Sequence, residues 1–295
     1  MYDVLCAGMA LIDSIIRGFN QKNNTAISGS LHVGGEAVNA SIAAAKLGLK
    51  PGIVCALGDD AAGDLIRTVL AKYNVDMKII SSPQTPVTTM FVREDGNRKS
   101  IINEAHCFHP MKYEAADSKV TIIGSLFRAP FDDPEFIQDF LRKVKGTVIA
   151  DTKLPREQSK AKRLQDIASS LPLIDYITPN EEEAKHLTGQ KEPPKMADVF
   201  LEYGVKNVII KLGADGCYFK SKREEYHIDG YKIKAIDATG AGDNFIAGFV
   251  SEFLKGKSIS EILCFANACG AICTTEEGAG TALKSREQVL DWLEK

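Results

Sequence analysis

The sequence lacks the features of a secreted, membrane-spanning or nucleic-acid-binding protein. None of its apolar runs reaches the roughly 18 residues of a membrane-spanning helix, and Met1 to Asp3 do not begin a signal peptide. The net charge is −3 and the pI is about 6.0, so no basic field would attract a phosphate backbone or an anionic membrane. We therefore expect a cytoplasmic protein with neither nucleic acid nor membrane as a partner.

The sequence also lacks paired cysteines. Its seven cysteines are odd in number and never occur as Cys-x-x-Cys, and most of them lie in apolar runs. This pattern predicts buried free thiols in a reducing compartment, not disulfides or a zinc site.

Two common nucleotide-binding devices are missing as well. The Gly-Lys-Ser at 256–258 has Ser251 where a P-loop needs its first glycine, and it follows a helical pattern instead of a strand. The turn after the first apolar run, 6–11, does not supply Gly-x-Gly-x-x-Gly. The sequence therefore disfavours a P-loop enzyme and a nicotinamide oxidoreductase.

What remains is the composition and pattern of an α/β protein. Over 295 residues, 44% are apolar and 25% are charged, which is enough to bury a large core. Short apolar runs alternate with helical patterns, which predicts a mostly parallel sheet with helices on both faces, a three-layer α/β/α architecture. The predicted strands are 4–7, 53–57, 120–123, 147–150, 174–178 and 208–212, and the last third, 240–294, reads as helix.

Two segments, 11–33 and 86–106, break this alternation. The second carries a hairpin signal around Asp95-Gly96-Asn97. Because hairpins cannot lie in the centre of a parallel sheet, we expect a small β lid at the open edge of a single domain, 1–295; ordinary surface hairpins are the alternative. Unpaired apolar lid strands would favour a homodimer through the lid.

The stretch 237–245, Asp-Ala-Thr-Gly-Ala-Gly-Asp-Asn-Phe, has the strongest chemical signal. Small residues at Gly240, Ala241 and Gly242 would open the amides of a helix start to a ligand, which forms an anion hole suited to a phosphoryl group. Asp243 in the first turn would be the general base for an attacking hydroxyl. The alternative is a tight turn in which Asp243 only complements the helix dipole.

Three ordered motifs give the chain a resemblance to the PfkB (ribokinase-like) family of carbohydrate and nucleoside kinases over essentially its whole length. They are 237–243, the glycine pair 34–40 continued by 43–48, and Asn-x-x-Glu at 180–183. The resemblance implies a ribokinase-like fold and ATP- and Mg²⁺-dependent transfer of the γ-phosphate to a primary hydroxyl of a small sugar or sugar acid.

The resemblance also assigns roles to individual residues. It makes Asp243 the base beside the anion hole Gly240, Ala241 and Gly242. The sugar would be bound by Asp13, Gly34, Gly35, Asn39 and Lys153, and the nucleotide by Asn180, Lys211, Gly213, Gly216, Asn267 and Gly278. Glu183 would hold Mg²⁺ through water, and Asp237 and Thr239 match a site for a monovalent cation such as K⁺.

The sequence motifs define the phosphoryl acceptor less clearly than the base and the anion hole. Gly-Gly-Glu-Ala-Val-Asn at 34–39 matches neither the ribokinase nor the fructokinase pattern. Lys153 and Arg98 could balance an acceptor carboxylate or phosphate, or could be solvated surface charges. A nucleoside kinase with Phe91, Phe108 and Met111 as an apolar wall, and an inactive sugar-binding regulator, are the other interpretations.

Overall fold

The computed structural model describes residues 1–20, 22–93, 98–102, 113 and 116–294, with the side chain of Arg98 excluded. Within these ranges the strands are β1 Tyr2–Ala7, β2 Leu11–Arg17, β3 Ser28–Gly34, β4 Pro51–Leu57, β5 Asp76–Ser81, β6 Val87–Val92, β7 Arg98–Ile102, β8 Ser118–Leu126, β9 Thr147–Thr152, β10 Tyr176–Ile177, β11 Asn207–Lys211, β12 Cys217–Ser221 and β13 Glu225–Ile228. The helices are α1 Glu36–Lys46, α2 Ala61–Lys72, α3 Pro134–Lys143, α4 Glu181–Thr188, α5 Pro193–Glu202, α6 Ala241–Phe253, α7 Ile259–Cys273 and α8 Arg286–Leu293.

The larger sheet has the order β13-β12-β11-β10-β9-β8-β1-β4-β5. Its strands from β11 to β5 pair in parallel, and β12 and β13 add an antiparallel hairpin at one edge. Its inner strands are buried on both faces, as in β4, where every residue is buried. The predicted mostly parallel sheet is confirmed, and each of the six predicted strands lies in it.

Helices cover both faces of this sheet. Val4 and Cys6 point to a core shared with α1, α2, α6, α7 and α8, and Leu5 and Ala7 point to a second core shared with α3, α4 and α5. The period-2 alternation of a strand produces this division. The three-layer α/β/α architecture is therefore confirmed.

The smaller sheet has the order β3-β2-β6-β7, with β2 and β6 parallel and the two outer pairs antiparallel. Its strands lie within the two segments that break the alternation, and a separate small sheet was the prediction. The predicted turn 95–97 lies outside the described residues, as do 103–106. Six cysteines are free thiols, while Cys107 lies outside the described residues. Within the described ranges, no helix is both long and apolar enough to cross a bilayer.

Candidate active site

A cavity of about 600 Å³ opens where β9, β10 and β11 end and α6 begins. Ligands of open α/β sheets bind at this carboxyl edge. Most of the residues predicted for the nucleotide, the phosphoryl group and the ions line the cavity, and so does Lys153, which was predicted for the sugar. The others are Asn180, Glu183, Lys211, Gly213, Gly216, Thr239, Gly240, Ala241, Gly242, Asp243 and Asn267.

The turn before α6 leaves the start of the helix open. Gly240 has φ 77°, and no side chain caps the helix. A Cβ at Gly240 would collide with Ala279, so glycine is required both by the backbone and by the close approach. The Ala241 amide already donates to the Ala238 carbonyl at 3.2 Å. The start of α6 still presents the positive end of its dipole to the cavity at Gly242 and Asp243, which is the geometry of an anion hole.

Asp243 lies in the first turn of α6 and is 7% exposed. Its Oδ2 accepts a hydrogen bond of 2.8 Å from Asn39 Nδ2. Burial raises the pKa of Asp243 to about 7; the Glu36 and Asp151 carboxylates add to this effect, whereas Lys153 and the Asn39 hydrogen bond oppose it. A carboxyl that titrates near neutral pH is well matched to general-base chemistry.

The other residues predicted for the sugar lie on β2, β3, α1 and the turn between β3 and α1. Gly35 has φ 96°, and a Cβ there would collide with the Met9 carbonyl, so this turn requires glycine, while the contact of the glycine pair with a sugar stays a prediction. Gly34 lies beside the carboxylate of Asp13. Burial raises the pKa of Asp13 to about 6. Through the hydrogen bond from Asn39 to Asp243, these residues adjoin the anion hole.

Lys153 faces a carboxylate that the sequence analysis did not select. Its Nζ lies 3.6 Å from Oε1 of Glu36, the first residue of α1. Burial lowers the pKa of Lys153, but Glu36, Asp151, Asp243 and, to a smaller extent, Glu183 outweigh it and raise the pKa above its usual value. Lys153 is therefore paired with a carboxylate, although its side chain is 34% exposed.

The Asn-x-x-Glu motif forms a capping box at the start of α4. Asn180 Oδ1 accepts from the Glu183 amide at 2.8 Å, and Glu183 Oε2 accepts from the Asn180 amide at 3.0 Å. Thr152 Oγ1 also donates to Glu183 Oε2, at 2.8 Å. Burial and Asp151 raise the pKa of Glu183, while Lys211 opposes them. The motif therefore caps α4, and Asn180 and Glu183 also line the cavity.

Lys211, at the end of β11, donates to Asp151 Oδ1 at 2.6 Å and lies beside Gly242 of the anion hole. Asp151 was also not selected from the sequence, and it accepts from Thr178 Oγ1 at 2.9 Å as well. An ammonium group in this position adds a positive point charge next to the phosphate-binding amides. On the far side of the cavity, Asn267 donates to the carbonyls of β13 and the following residue.

Asp237 organises the loop before the anion hole. Its Oδ1 accepts from Thr239 N at 3.0 Å and from Thr239 Oγ1 at 2.7 Å, and its Oδ2 accepts from Gly278 N at 3.1 Å. Gly278 therefore lies against this loop and near His32 of the small sheet. The predicted cation ligands lie together, while the contact of Gly278 with a nucleotide stays a prediction.

Residues 277–283, which we call the linking segment, connect the parts of the site. Four side chains hold it: Arg17 pairs with Glu277 at 2.9 Å, Asp237 binds Gly278, Asn244 Nδ2 donates to Ala279 O at 2.8 Å, and Lys46 Nζ donates to Gly280 O and, at 2.7 Å, to Leu283 O. The small sheet, the anion-hole loop and α1 thus all contact one short stretch of chain.

Three predicted side chains fall outside the description: Arg98, Phe108 and Met111. Nothing in the described part of the chain supplies three or more His, Cys, Asp or Glu side chains grouped to hold a metal ion. Glu183 and Asp151 are nevertheless adjacent acidic groups in the cavity lining, and Mg²⁺ commonly keeps several waters and binds through one or two carboxylates plus phosphates. The donor set therefore fits a magnesium ion held with a nucleotide.

Known proteins match this chain along its length. The model of the pfkB family carbohydrate kinases matches residues 1–286. A ribokinase of Haemophilus influenzae is 30% identical, covering 88% of this chain and 87% of that protein, and the Arabidopsis thaliana protein named "Probable fructokinase-7" is 27% identical, covering 98% and 92%. The crystal structure of a Thermotoga maritima ribokinase superposes with a TM-score of 0.84 at 27% identity over all of both chains. The chain therefore belongs to the pfkB family of carbohydrate kinases, phosphotransferases with an alcohol group as acceptor.

Proposed function

We propose that the protein transfers the γ-phosphate of ATP to a primary hydroxyl of a small sugar or sugar acid. The observation that carries this proposal is the position of Asp243, a buried carboxyl with its pKa raised to about 7, in the first turn of an uncapped helix at the cavity. A base and an oxyanion site next to each other are what phosphoryl transfer to an alcohol requires.

In this mechanism the sugar hydroxyl lies between Asp243 and the γ-phosphorus. Asp243 accepts the hydroxyl proton as the oxygen–phosphorus bond forms and the bond from the γ-phosphorus to its bridging oxygen breaks, which releases ADP. The amides of Gly242 and Asp243 and the ammonium of Lys211 stabilise the charge on the phosphoryl oxygens. Asn39 keeps the Asp243 carboxylate oriented toward the acceptor.

The proposal also includes two bound cations. Glu183, with Asp151, would hold Mg²⁺ through water beside the phosphates, and the ion would supply charge neutralisation there. The loop with Asp237 and Thr239 would hold a monovalent cation such as K⁺ beside the anion hole. The proteins similar to this chain include a ribokinase and a protein named as a probable fructokinase, which favours a sugar as the acceptor.

We also propose that the whole chain is one kinase domain and that the small sheet is its lid. The lid would close over the sugar and exclude water, which otherwise competes as the acceptor. Support comes from the ion pair between Arg17 of the small sheet and Glu277 of the linking segment. Leu31 and Ile101, on the two outer strands of the small sheet, are 64% and 58% exposed, which favours a homodimer through this sheet.

The test is ADP release with a panel of ribose, fructose, 2-keto-3-deoxygluconate, adenosine and inosine. We expect turnover with at least one sugar, and Asp243→Asn should lower kcat by about 10²-fold or more while sugar binding is retained. Turnover with nucleosides alone would replace the proposal by a nucleoside kinase. Near-normal kcat in the variant would remove Asp243 from its role.

A further inference from the structure

Glu36 presents an unsatisfied acceptor at the sugar end of the site. Its side chain is 13% exposed, and Oε1 faces Lys153 at 3.6 Å. Oε2 is buried, and no group in the described residues donates a hydrogen bond to it. A buried carboxylate oxygen without a hydrogen-bond donor is unfavourable, so a donor from a ligand would stabilise it.

Glu36 lies close to two residues of the proposed sugar site, since its charge raises the pKa of both Asp13 and Asp243. Glu36 follows the glycine pair and lies three residues before Asn39 on the same helix, so the two side chains share one face of α1. Asn39 uses its amide N–H on Asp243, which leaves its oxygen as an acceptor. Gly124 of β8 packs closely against the Cβ of Glu36, which limits where the Glu36 side chain can lie.

Lys153 does not offer a free positive charge to a substrate. Glu36 is its ion-pair partner, and Asp151 and Asp243 also act on it as negative charges. An acceptor carboxylate placed next to Lys153 would also meet Glu36 and Asp243, and like charges in a partly buried site repel. Arg128, a second cation near Glu36, already donates to the Leu154 carbonyl at 2.7 Å. A sugar hydroxyl, which can donate to Glu36 Oε2, meets no such penalty.

We propose that Glu36 makes the site selective for an uncharged sugar, by accepting a hydrogen bond from a ring or chain hydroxyl and by repelling sugar acids. This inference rests on the kinase function proposed above and narrows its substrate class. It assigns Glu36 a role in specificity and not in phosphoryl transfer.

The experiment compares matched acceptors with the wild-type protein and with Glu36→Gln. ADP release is measured with ribose and fructose, and with ribonate and 2-keto-3-deoxygluconate as the acids. We expect kcat/KM of the best uncharged sugar to exceed that of the best acid by at least about 10-fold in the wild type. Glu36→Gln should reduce this ratio by about 10-fold, mainly through KM, and Glu36→Asp should retain part of the preference.

A structural role alone would not change the ratio between the two classes. Glu202→Gln on α5, an exposed carboxylate at a helix end, is the matched control and should leave the ratio unchanged. Turnover of acids in preference to sugars by the wild type overturns the inference and leaves the kinase function standing, as does an equal loss for both classes in Glu36→Gln. Absence of ADP release with every acceptor removes the kinase function, and this inference with it.

Discussion

Replacing the proposed base, Asp243→Asn, is expected to stabilise the protein at alkaline pH. The carboxyl is 7% exposed, and burial is the main cause that raises its pKa from 3.8 to about 7. Each unit corresponds to about 1.4 kcal/mol, so ionising this group in the folded state costs about 4 kcal/mol at pH 8. Asparagine carries no charge and can still accept the hydrogen bond from Asn39, although Lys153 loses one carboxylate partner. We expect a net gain of about 2–4 kcal/mol at pH 8.

The pH dependence of this gain is the sharper test. Because the folded-state pKa is above the unfolded value, protonated Asp243 favours the folded state below pH 3.8, and this contribution is lost as the pH rises to about 7. The wild type should therefore lose about 2–3 kcal/mol relative to the variant between pH 5 and pH 8, and nothing more above that.

Urea unfolding of both proteins at pH 5, 6, 7 and 8 measures the difference. Asp291→Asn, at an exposed position of α8, is the control for the same substitution outside the cavity. A variant that is less stable than the wild type at pH 8, or a difference that does not change with pH, would refute the account of a strained carboxyl at the anion hole.

Two further predictions concern the tuning of the base and the assembly of the protein. Lys153 lowers the pKa of Asp243 and Glu36 raises it. Lys153→Gln should therefore move the acid limb of the kcat/KM profile to higher pH, and Glu36→Gln should move it to lower pH, each by about half a unit to one unit. Shifts in the same direction would contradict the proposed charge arrangement. Leu31→Glu and Ile101→Glu should each convert the protein to a monomer in sedimentation at micromolar concentration, and a wild type that already sediments as a monomer would refute the dimer.

The elements that the sequence predicted are those with a strong local signal. The run 53–57 is continuously apolar and 208–212 is apolar except for Lys211, because parallel strands are buried on both faces. Both runs belong to strands of the larger sheet. The edge strand β5 and the hairpin of β12 and β13 were not predicted. Strand β5 is only partly buried, so its residues do not form a continuous apolar run.

The same distinction between local and non-local signals applies to the residues of the site. The turn at 237–243 could be identified because its function lies in consecutive small residues that shape one helix start. The ion pairs of Glu36 with Lys153 and of Asp151 with Lys211 could not, since the second joins residues 60 positions apart. These contacts depend on the strand order β11-β10-β9-β8-β1 in the larger sheet, which no local sequence pattern specifies.

The linking segment joins the small sheet to the helix that carries the proposed base. Arg17 of the small sheet pairs with Glu277, and Asn244 of α6 donates to the Ala279 carbonyl two residues further along. Thermodynamic reciprocity then requires that any factor by which sugar changes the affinity for ATP equals the factor by which ATP changes the affinity for sugar. If the two proposed binding sites are coupled, residues 277–283 are the segment that contacts the elements of both.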